Sequence, residues 1–318
     1  MKTNIKLSVV VPVYNGAAFI TRCLDCLINQ SLEEMQIYLV DDGSTDKTIQ
    51  IASHYESGTA NLTILRHQQN RGTGAARNTG LAAVNSAFVA FLDADDWIDT
   101  NAYLEMVSSM ETTGADVSIC GIKTEYSNVA CSSWRYYYPY RNLLTGKFAL
   151  KMLSRVEQQD IFISPMVGNK VFRTDFLRHY SLEFSESSLY EDDEFMFLAL
   201  CHSSRVSLVP TVCQHYFQRE MSAMHMFSKG YIDSFLNAFQ NIKMRLQEED
   251  LFETFQNEYF AFLDKCLSSL LDTLFSCEQS VGIQRQYISY LLEGLLQSFT
   301  IQELIAHIEP CRLQRLWL

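Results

Sequence analysis

Positive charge is scarce in this chain. Its 318 residues hold 25 Lys and Arg against 37 Asp and Glu, a formal net charge of −12. A general nucleic-acid binder presents a basic face, so this balance argues against one, and no nucleic-acid partner is expected. It leaves room for a local basic pocket that grips a phosphorylated ligand. Long apolar runs are also missing. No stretch of ~18 apolar residues is there to span a bilayer. The start, Met1-Lys2-Thr3-Asn4-Ile5-Lys6, runs straight into a strand pattern with no apolar leader. Nine cysteines occur, but they form no repeating pattern. Cys23 and Cys26 make a lone C-x-x-C. A redox or zinc motif needs a second pair or a thioredoxin-like setting. Two small apolar residues on a helix face are therefore expected. Free thiols in this number predict a reducing cytoplasm. Repeats and low-complexity tracts are absent.

What is present is alternation. An apolar content of 47% and a charged content of 19% fit a globular chain with one large domain and an appendage. Leu7–Val13 is β-branched and apolar, a buried first strand. Tyr14-Asn15-Gly16 turns into a helix over about Ala17 to Asn29, with apolar residues at helical spacing. A strand over Met35–Val40 ends in Asp41-Asp42-Gly43-Ser44. The next helix runs to about Tyr55, with Ser44 or Thr45 as its cap. Leu62–Leu65 is a third strand, and a glycine-bearing loop from Asn70 enters a helix to about Val84. A central strand, a helix over Asn101 to Thr112 and a strand over Asp116 to Ile122 follow. Such alternation predicts βαβ units and a parallel sheet. Lys123 to Tyr140 reads as an irregular excursion or edge hairpin. A helix over Thr145 to Val156, a return to the sheet at Val167–Phe172 and a helix from Tyr190 to Cys201 come next. Val206–Val209 and Val212–Phe217 read as two short strands. From Lys229 onward only helical spacing remains, enough for three or four helices. This tail is acidic, which argues against a polybasic membrane patch.

The chemistry gathers where strands end. Phe88 to Leu92 is a run of five apolar residues, a strand buried on both faces. Asp93, Asp95 and Asp96 follow at once. Carboxylates this close repel unless a cation lies between them. The other reading is a solvated acidic turn, with Asp96 or Asp99 capping the next helix. On the motif alone the two readings balance. Asp41 and Asp42 also end a strand, and in a parallel sheet both pairs face one crevice. Gly72-Thr73-Gly74-Ala75-Ala76-Arg77 is not a dinucleotide fingerprint, because Arg77 replaces the third glycine and the loop follows the third strand. It remains suited to phosphate at a helix start. An aspartate-nucleophile phosphatase would want Thr or Val where Trp97 stands. Glu191 to Glu194 head a helix, where acidic residues favour the dipole in any case. Asn70, Arg71 and Arg77 on one side, and Arg219 with Ser222 on the other, supply groups that grip phosphate.

These pieces occur in a familiar order: Val11-Pro12-Val13-Tyr14-Asn15, Val40-Asp41-Asp42-Gly43-Ser44-Thr45-Asp46, Ala76-Arg77-Asn78-Thr79-Gly80, Phe91-Leu92-Asp93-Ala94-Asp95-Asp96 and Glu191-Asp192-x-x-Phe195. The set resembles the family-2 glycosyltransferases, inverting enzymes with the GT-A fold, over roughly Leu7 to Ser222. The resemblance implies an α/β GT-A domain over 1–226, Rossmann-like, with a mostly parallel central sheet flanked by helices. Its nucleotide-binding half would cover about 1–122 and its acceptor half about 123–226, with an all-helical appendage over 227–318. It implies transfer of a sugar from a UDP-sugar to an acceptor hydroxyl in bacterial cell-surface polysaccharide or glycoconjugate synthesis. Pro12, Tyr14, Asn15, Asp41, Asp42, Asn70, Arg77, Asp93, Ala94 and Asp95 would bind the nucleotide. Asp93 and Asp95 would also hold Mn²⁺ or Mg²⁺. Arg219 and Ser222 would contact the diphosphate, and Trp97 and Glu191 would lie by the acceptor. The catalytic base falls on Asp192 or Asp193. The acceptor would be a saccharide, lipid-linked or protein-linked. A cytoplasmic protein is expected, with peripheral contact at the inner face of the plasma membrane and a homodimer through the C-terminal helices as options. The alternatives are a nucleotidyltransferase acting on a sugar phosphate and a non-catalytic partner subunit.

Overall fold

The computed structural model describes residues 5–126, 132–156, 161–186, 188–218, 227–277 and 279–316. Ten strands form one sheet among these residues: β1 Leu7–Val13, β2 Met35–Asp41, β3 Leu62–Arg66, β4 Phe88–Phe91, β5 Trp97–Ile98, β6 Val117–Tyr126, β7 Ser132–Tyr136, β8 Asn142–Leu144, β9 Lys170–Arg173 and β10 Val206–Gln218. Their order is β3-β2-β1-β4-β9-β6-β10-β5, with β7 on β6 and β8 on β10. β1, β2, β3 and β4 pair in parallel, as do β6 and β10. β9 is antiparallel to both β4 and β6, so β1, β2, β3, β4, β6 and β10 all point the same way. The carboxyl ends of β2, β1 and β4 thus lie side by side, and every functional loop read from the first half of the sequence leaves from that edge.

The helices preceding the sheet's second half are α1 Ile20–Ile28, α2 Thr48–Gly58, α3 Thr73–Ala83 and α4 Ala102–Thr113. α3 lies directly on β1. A Cβ on Gly80 would sit 2.3 Å from Val10 Cγ1, so only glycine lets the helix come this close. That approach fixes the depth of Arg77, one turn earlier on the same helix. β1 is buried at all seven positions, which explains its unbroken β-branched run.

Several local expectations are corrected. Neither Ser44 nor Thr45 caps α2. Its first amide is met by Asp46 Oδ1 at 2.9 Å, while Ser44 Oγ accepts the Asn15 amide at 2.8 Å. Neither Asp96 nor Asp99 caps α4, whose N-cap position is Asn101. Of the two readings offered for the stretch after β6, the hairpin is the one found, with β7 paired antiparallel to Ile122–Glu125. The two short strands over 206–217 are one strand, β10, whose register shifts between Val209 and Cys213. That bulge absorbs Pro210, which has no ladder N–H to give.

α5 Gly146–Ser154, α6 Thr174–His179 and α7 Glu191–His202 complete the sheet's cover. Five helices follow among the described residues, rather than three or four: α8 Lys229–Glu248, α9 Phe252–Ser276, α10 Val281–Ser298, α11 Ile301–His307 and α12 Pro310–Leu316. α8 packs on α7 and α9 on α5. One apolar cluster runs from Phe91 on the sheet through Phe195 on α7 to Phe262 on α9. Among the described residues no helix is long and apolar enough to cross a membrane.

Replacing Gly80 with Ala should destabilise the fold. The gain in helix propensity is about 1 kcal/mol, and overpacking against Val10 costs about 1–3 kcal/mol where the backbone must move. Urea unfolding should show a lower midpoint for Gly80→Ala; an unchanged or higher midpoint contradicts the close approach of α3 to β1.

Candidate active site

The site is built around a buried cation. Arg77 points from α3 toward the carboxyl end of β4, and its side chain is 3% exposed. Its Nη2 donates to Asp93 Oδ1 at 2.9 Å. Its Nη1 donates to Asp192 Oδ1 at 2.6 Å and to Glu191 Oε1 at 3.1 Å. One guanidinium therefore joins carboxylates from the end of β4 and the start of α7. Burial pulls the Arg77 pKa down, but Asp192, Asp93 and Glu191 outweigh it, so the group stays charged. The acids feel the same competition. Burial, then Asp192, pushes Glu191 up to about 7 against the pull of Arg77. Burial raises Asp192 as well, with Arg77 opposing.

The Asp192–Asp193 doublet splits in two directions. Asp192 turns to Arg77. Asp193 turns to α9, where Cys266 Sγ donates to its Oδ1 at 3.5 Å. Burial pushes Asp193 up to about 6.

Beneath Asp192 lies a group the motifs did not signal. Lys170 is fully buried at the start of β9. Its Nζ donates to Met166 O at 2.5 Å and to Asn169 Oδ1 at 2.7 Å. The next amide, Val167 N–H, donates to Asp192 Oδ2 at 3.2 Å. Met166 O and Val167 N–H belong to one peptide group. An ammonium on its oxygen and a carboxylate on its N–H polarise it from both ends. Burial pulls Lys170 down to about 7, with the Asp192 charge holding its proton on. The only sequence signal is a lysine within Val167 to Phe172, the stretch that returns to the sheet.

The loop after β4 divides its three acids. Asp93 is 41% exposed, and Asp95 is partly exposed. Asp96 turns inward instead. Its Oδ2 accepts Gln214 Nε2 at 2.5 Å and its Oδ1 accepts the Phe217 amide at 2.9 Å, both from β10. Burial, then Asp93 and Asp95, drives its pKa well up. Asp93 and Asp95 thus offer the hard oxygen donors that Mg²⁺ or Mn²⁺ takes. Arg22 from α1 braces this loop. Its Nη2 donates to Asp95 O at 2.7 Å, and its guanidinium lies 3.9 Å from the centre of the Trp97 ring.

The edge beside β2 is equally tied. Asp42 accepts from the Arg71 amide at 2.9 Å and the Gly72 amide at 2.8 Å, and contacts His67 Nδ1 at 2.7 Å. It therefore holds the loop that delivers α3. Asp41 is buried and pairs with Arg66 at 3.1 Å. Asn15, at φ 50°, accepts the Thr45 amide at 2.9 Å, while Asn70 accepts the Gly72 amide at 3.1 Å. Pro12 and Ala94 are buried and Tyr14 is 49% exposed. Trp97 stacks on His215 at 5.1 Å. Arg219 and Ser222 lie outside the described residues.

The profile of the family described as "Glycosyl transferase family 2" matches residues 8–175. The chain belongs to that family, whose members are inverting glycosyltransferases. Among curated proteins it is similar to the "Putative glycosyltransferase EpsH" of Bacillus subtilis, 28% identical over 81% of this chain and 74% of that one. It is similar also to the "Poly(ribitol-phosphate) beta-N-acetylglucosaminyltransferase TarS" of Staphylococcus aureus, 27% identical over 90% of this chain but only 48% of that one. The chain thus spans about half the length of TarS. The crystal structure of S. aureus TarS 1-349 in complex with UDP-GlcNAc shares the fold, with a TM-score of 0.74 at 24% identity, over 92% of this chain and 82% of that one. The α/β GT-A architecture with its C-terminal helices is thereby shown.

Removing the Arg77 charge leaves Asp93, Glu191 and Asp192 without their shared partner. Arg77→Met should destabilise by about 3–5 kcal/mol, the usual penalty for orphaning buried charge. Burial already holds the folded-state pKa values of Glu191 and Asp192 above their unfolded values, and losing Arg77 raises them further, so the loss grows with pH through that window. Urea unfolding at pH 5 and pH 8 should show the larger deficit at pH 8; equal deficits contradict the ion-pair account.

Proposed function

We propose that this chain transfers a sugar from a UDP-sugar to an acceptor hydroxyl in the synthesis of a bacterial cell-surface polysaccharide or glycoconjugate. The observation that carries the reading is Arg77, whose one guanidinium contacts both Asp93 and Asp192. It brings the acidic loop after β4 and the acidic start of α7 to one point. The names of the relatives support the substrate class: TarS is a poly(ribitol-phosphate) N-acetylglucosaminyltransferase, and its structure holds UDP-GlcNAc.

The mechanism assigns each residue a task. The loops after β1 and β2, with Tyr14, Asn15 and Asp42, receive the nucleoside. Asp93 and Asp95 would hold Mg²⁺ or Mn²⁺, which supplies positive charge to offset the departing diphosphate. Arg219 and Ser222 remain the candidate diphosphate contacts. Asp192 takes the proton from the acceptor hydroxyl, and the oxygen attacks the anomeric carbon on the face opposite the diphosphate. A carboxylate is a weak base for a hydroxyl. Burial improves it by raising its pKa toward working pH, where general bases act best. Arg77 and the Val167 amide hold its two oxygens in line. Asp193, turned to α9, takes no part. Trp97 and Glu191 flank the acceptor.

A panel of nucleotide-sugars, with UDP-GlcNAc first, tests the reading through released UDP. Asp192→Asn should lose about 10²–10⁴ in kcat, the range of general-base assistance, and Asp193→Asn should keep most of the activity. The opposite ranking moves the base to Asp193. No UDP release from any donor, with nucleotide binding also absent by calorimetry, favours a non-catalytic subunit.

The acid limb of kcat/KM should fall above the usual aspartate range, because burial raises Asp192. Lys170→Met removes the positive end of the polarised peptide and makes Asp192 harder to ionise. The limb should therefore move to higher pH in that variant; a profile that does not move contradicts the link from Lys170 to Asp192.

A further inference from the structure

A second set of ligand atoms lies on the other side of Trp97. β5 pairs antiparallel with β10, setting Trp97 opposite His215 and Ile98 opposite Gln214. The pairing continues one step. The Asp99 amide donates to Cys213 O at 3.0 Å, and the Cys213 amide donates to Asp99 Oδ2 at 2.8 Å. Side chains alternate along a strand, so Cys213 and His215 share a face while Gln214 points to Asp96 on the other. His215 Nε2 is 3.1 Å from Asp99 Oδ1 and 3.8 Å from Cys213 Sγ. The ligand atoms of the three residues all lie within 4.8 Å of one another.

We propose that Asp99, Cys213 and His215 bind a borderline-soft divalent cation of the Zn²⁺ class, at a site separate from Asp93 and Asp95. Zn–N and Zn–O bonds of about 2.0–2.2 Å and Zn–S bonds of about 2.3 Å put neighbouring ligands of a tetrahedral site roughly 3.3–3.6 Å apart. The separations at His215 straddle that spacing. Asp99, with a side chain 39% exposed, gives the ion its entry path. The donor set is thiolate, imidazole and carboxylate, which favours Zn²⁺ or Co²⁺ over Mg²⁺ and Mn²⁺. Around it stands the outer partner such sites use. Glu125 Oε1 lies 2.7 Å from His215 Nδ1, fixing the imidazole so that Nε2 faces the cation. Trp97 stacks flat on the same ring, 7° from parallel. Binding releases the thiol proton of Cys213 and the Nε2 proton of His215 to solvent. Three protein ligands leave a fourth position for water.

The test uses the full chain, freed of metal by chelation and titrated with Co²⁺. One Co²⁺ per chain should bind with a thiolate-to-cobalt charge-transfer band, apart from any Co²⁺ that Asp93 and Asp95 take without one. Cys213→Ser should abolish the band and His215→Gln should weaken binding at least tenfold, while Asp95→Asn should leave both unchanged. Zn²⁺ should displace the Co²⁺ and raise the thermal midpoint of the unsubstituted chain. Absence of the band in the unsubstituted chain overturns the proposal, as does a band that survives Cys213→Ser.

Discussion

A buried guanidinium must be surrounded by acceptors, and this requirement organises the molecule. Arg77 enters the protein on α3, at a depth set by the contact of Gly80 with Val10. Once there it needs carboxylates within reach. Asp93 comes from the end of β4, Glu191 and Asp192 from the start of α7. These elements lie about a hundred residues apart in sequence. The ion-pair cluster gives them one meeting point, and the reactive centre proposed for this enzyme is built on it.

The second half of the sheet adds support from below and beside. β9 runs against its neighbours, and its first residue, Lys170, lies under Asp192. Between them stands one peptide group, hydrogen-bonded at both ends. β10 reaches the site through Gln214 and the Phe217 amide, which hold the inward-facing Asp96. Three neighbouring acids thereby acquire different surroundings. Two face outward, and one serves as a tether.

Much of this was legible in the sequence. The alternation up to Ile122 gave the parallel strands because buried β-branched runs and helical spacing are strong local signals. The acidic strand ends fell on one edge of the sheet, because parallel strands must deliver them to the same side. What was missed depends on partners far away in the chain. Ser44 has the chemistry of a cap, yet its hydroxyl meets Asn15 instead. Pro210 reads as a break between strands, and only the pairing with β6 shows a bulge within one. α6 is six residues long, too short for a period to appear. The reversed direction of β9 leaves no local trace. Nor does the split between Asp192 and Asp193, since adjacent residues on a helix differ only in what surrounds them.

The inward-facing Asp96 has a bearing on engineering. Glycosyltransferases are attractive candidates for chimeras that join one protein's donor specificity to another's acceptor. Here the seam is not a peptide linker but a hydrogen-bonded carboxylate lodged in the opposing strand. Any graft that replaces β10 must bring an amide side chain equivalent to Gln214, or the transplanted half leaves a buried acid unsatisfied at the join. Recombination across this fold is therefore governed by a matched pair of side chains more than by where the chain is cut.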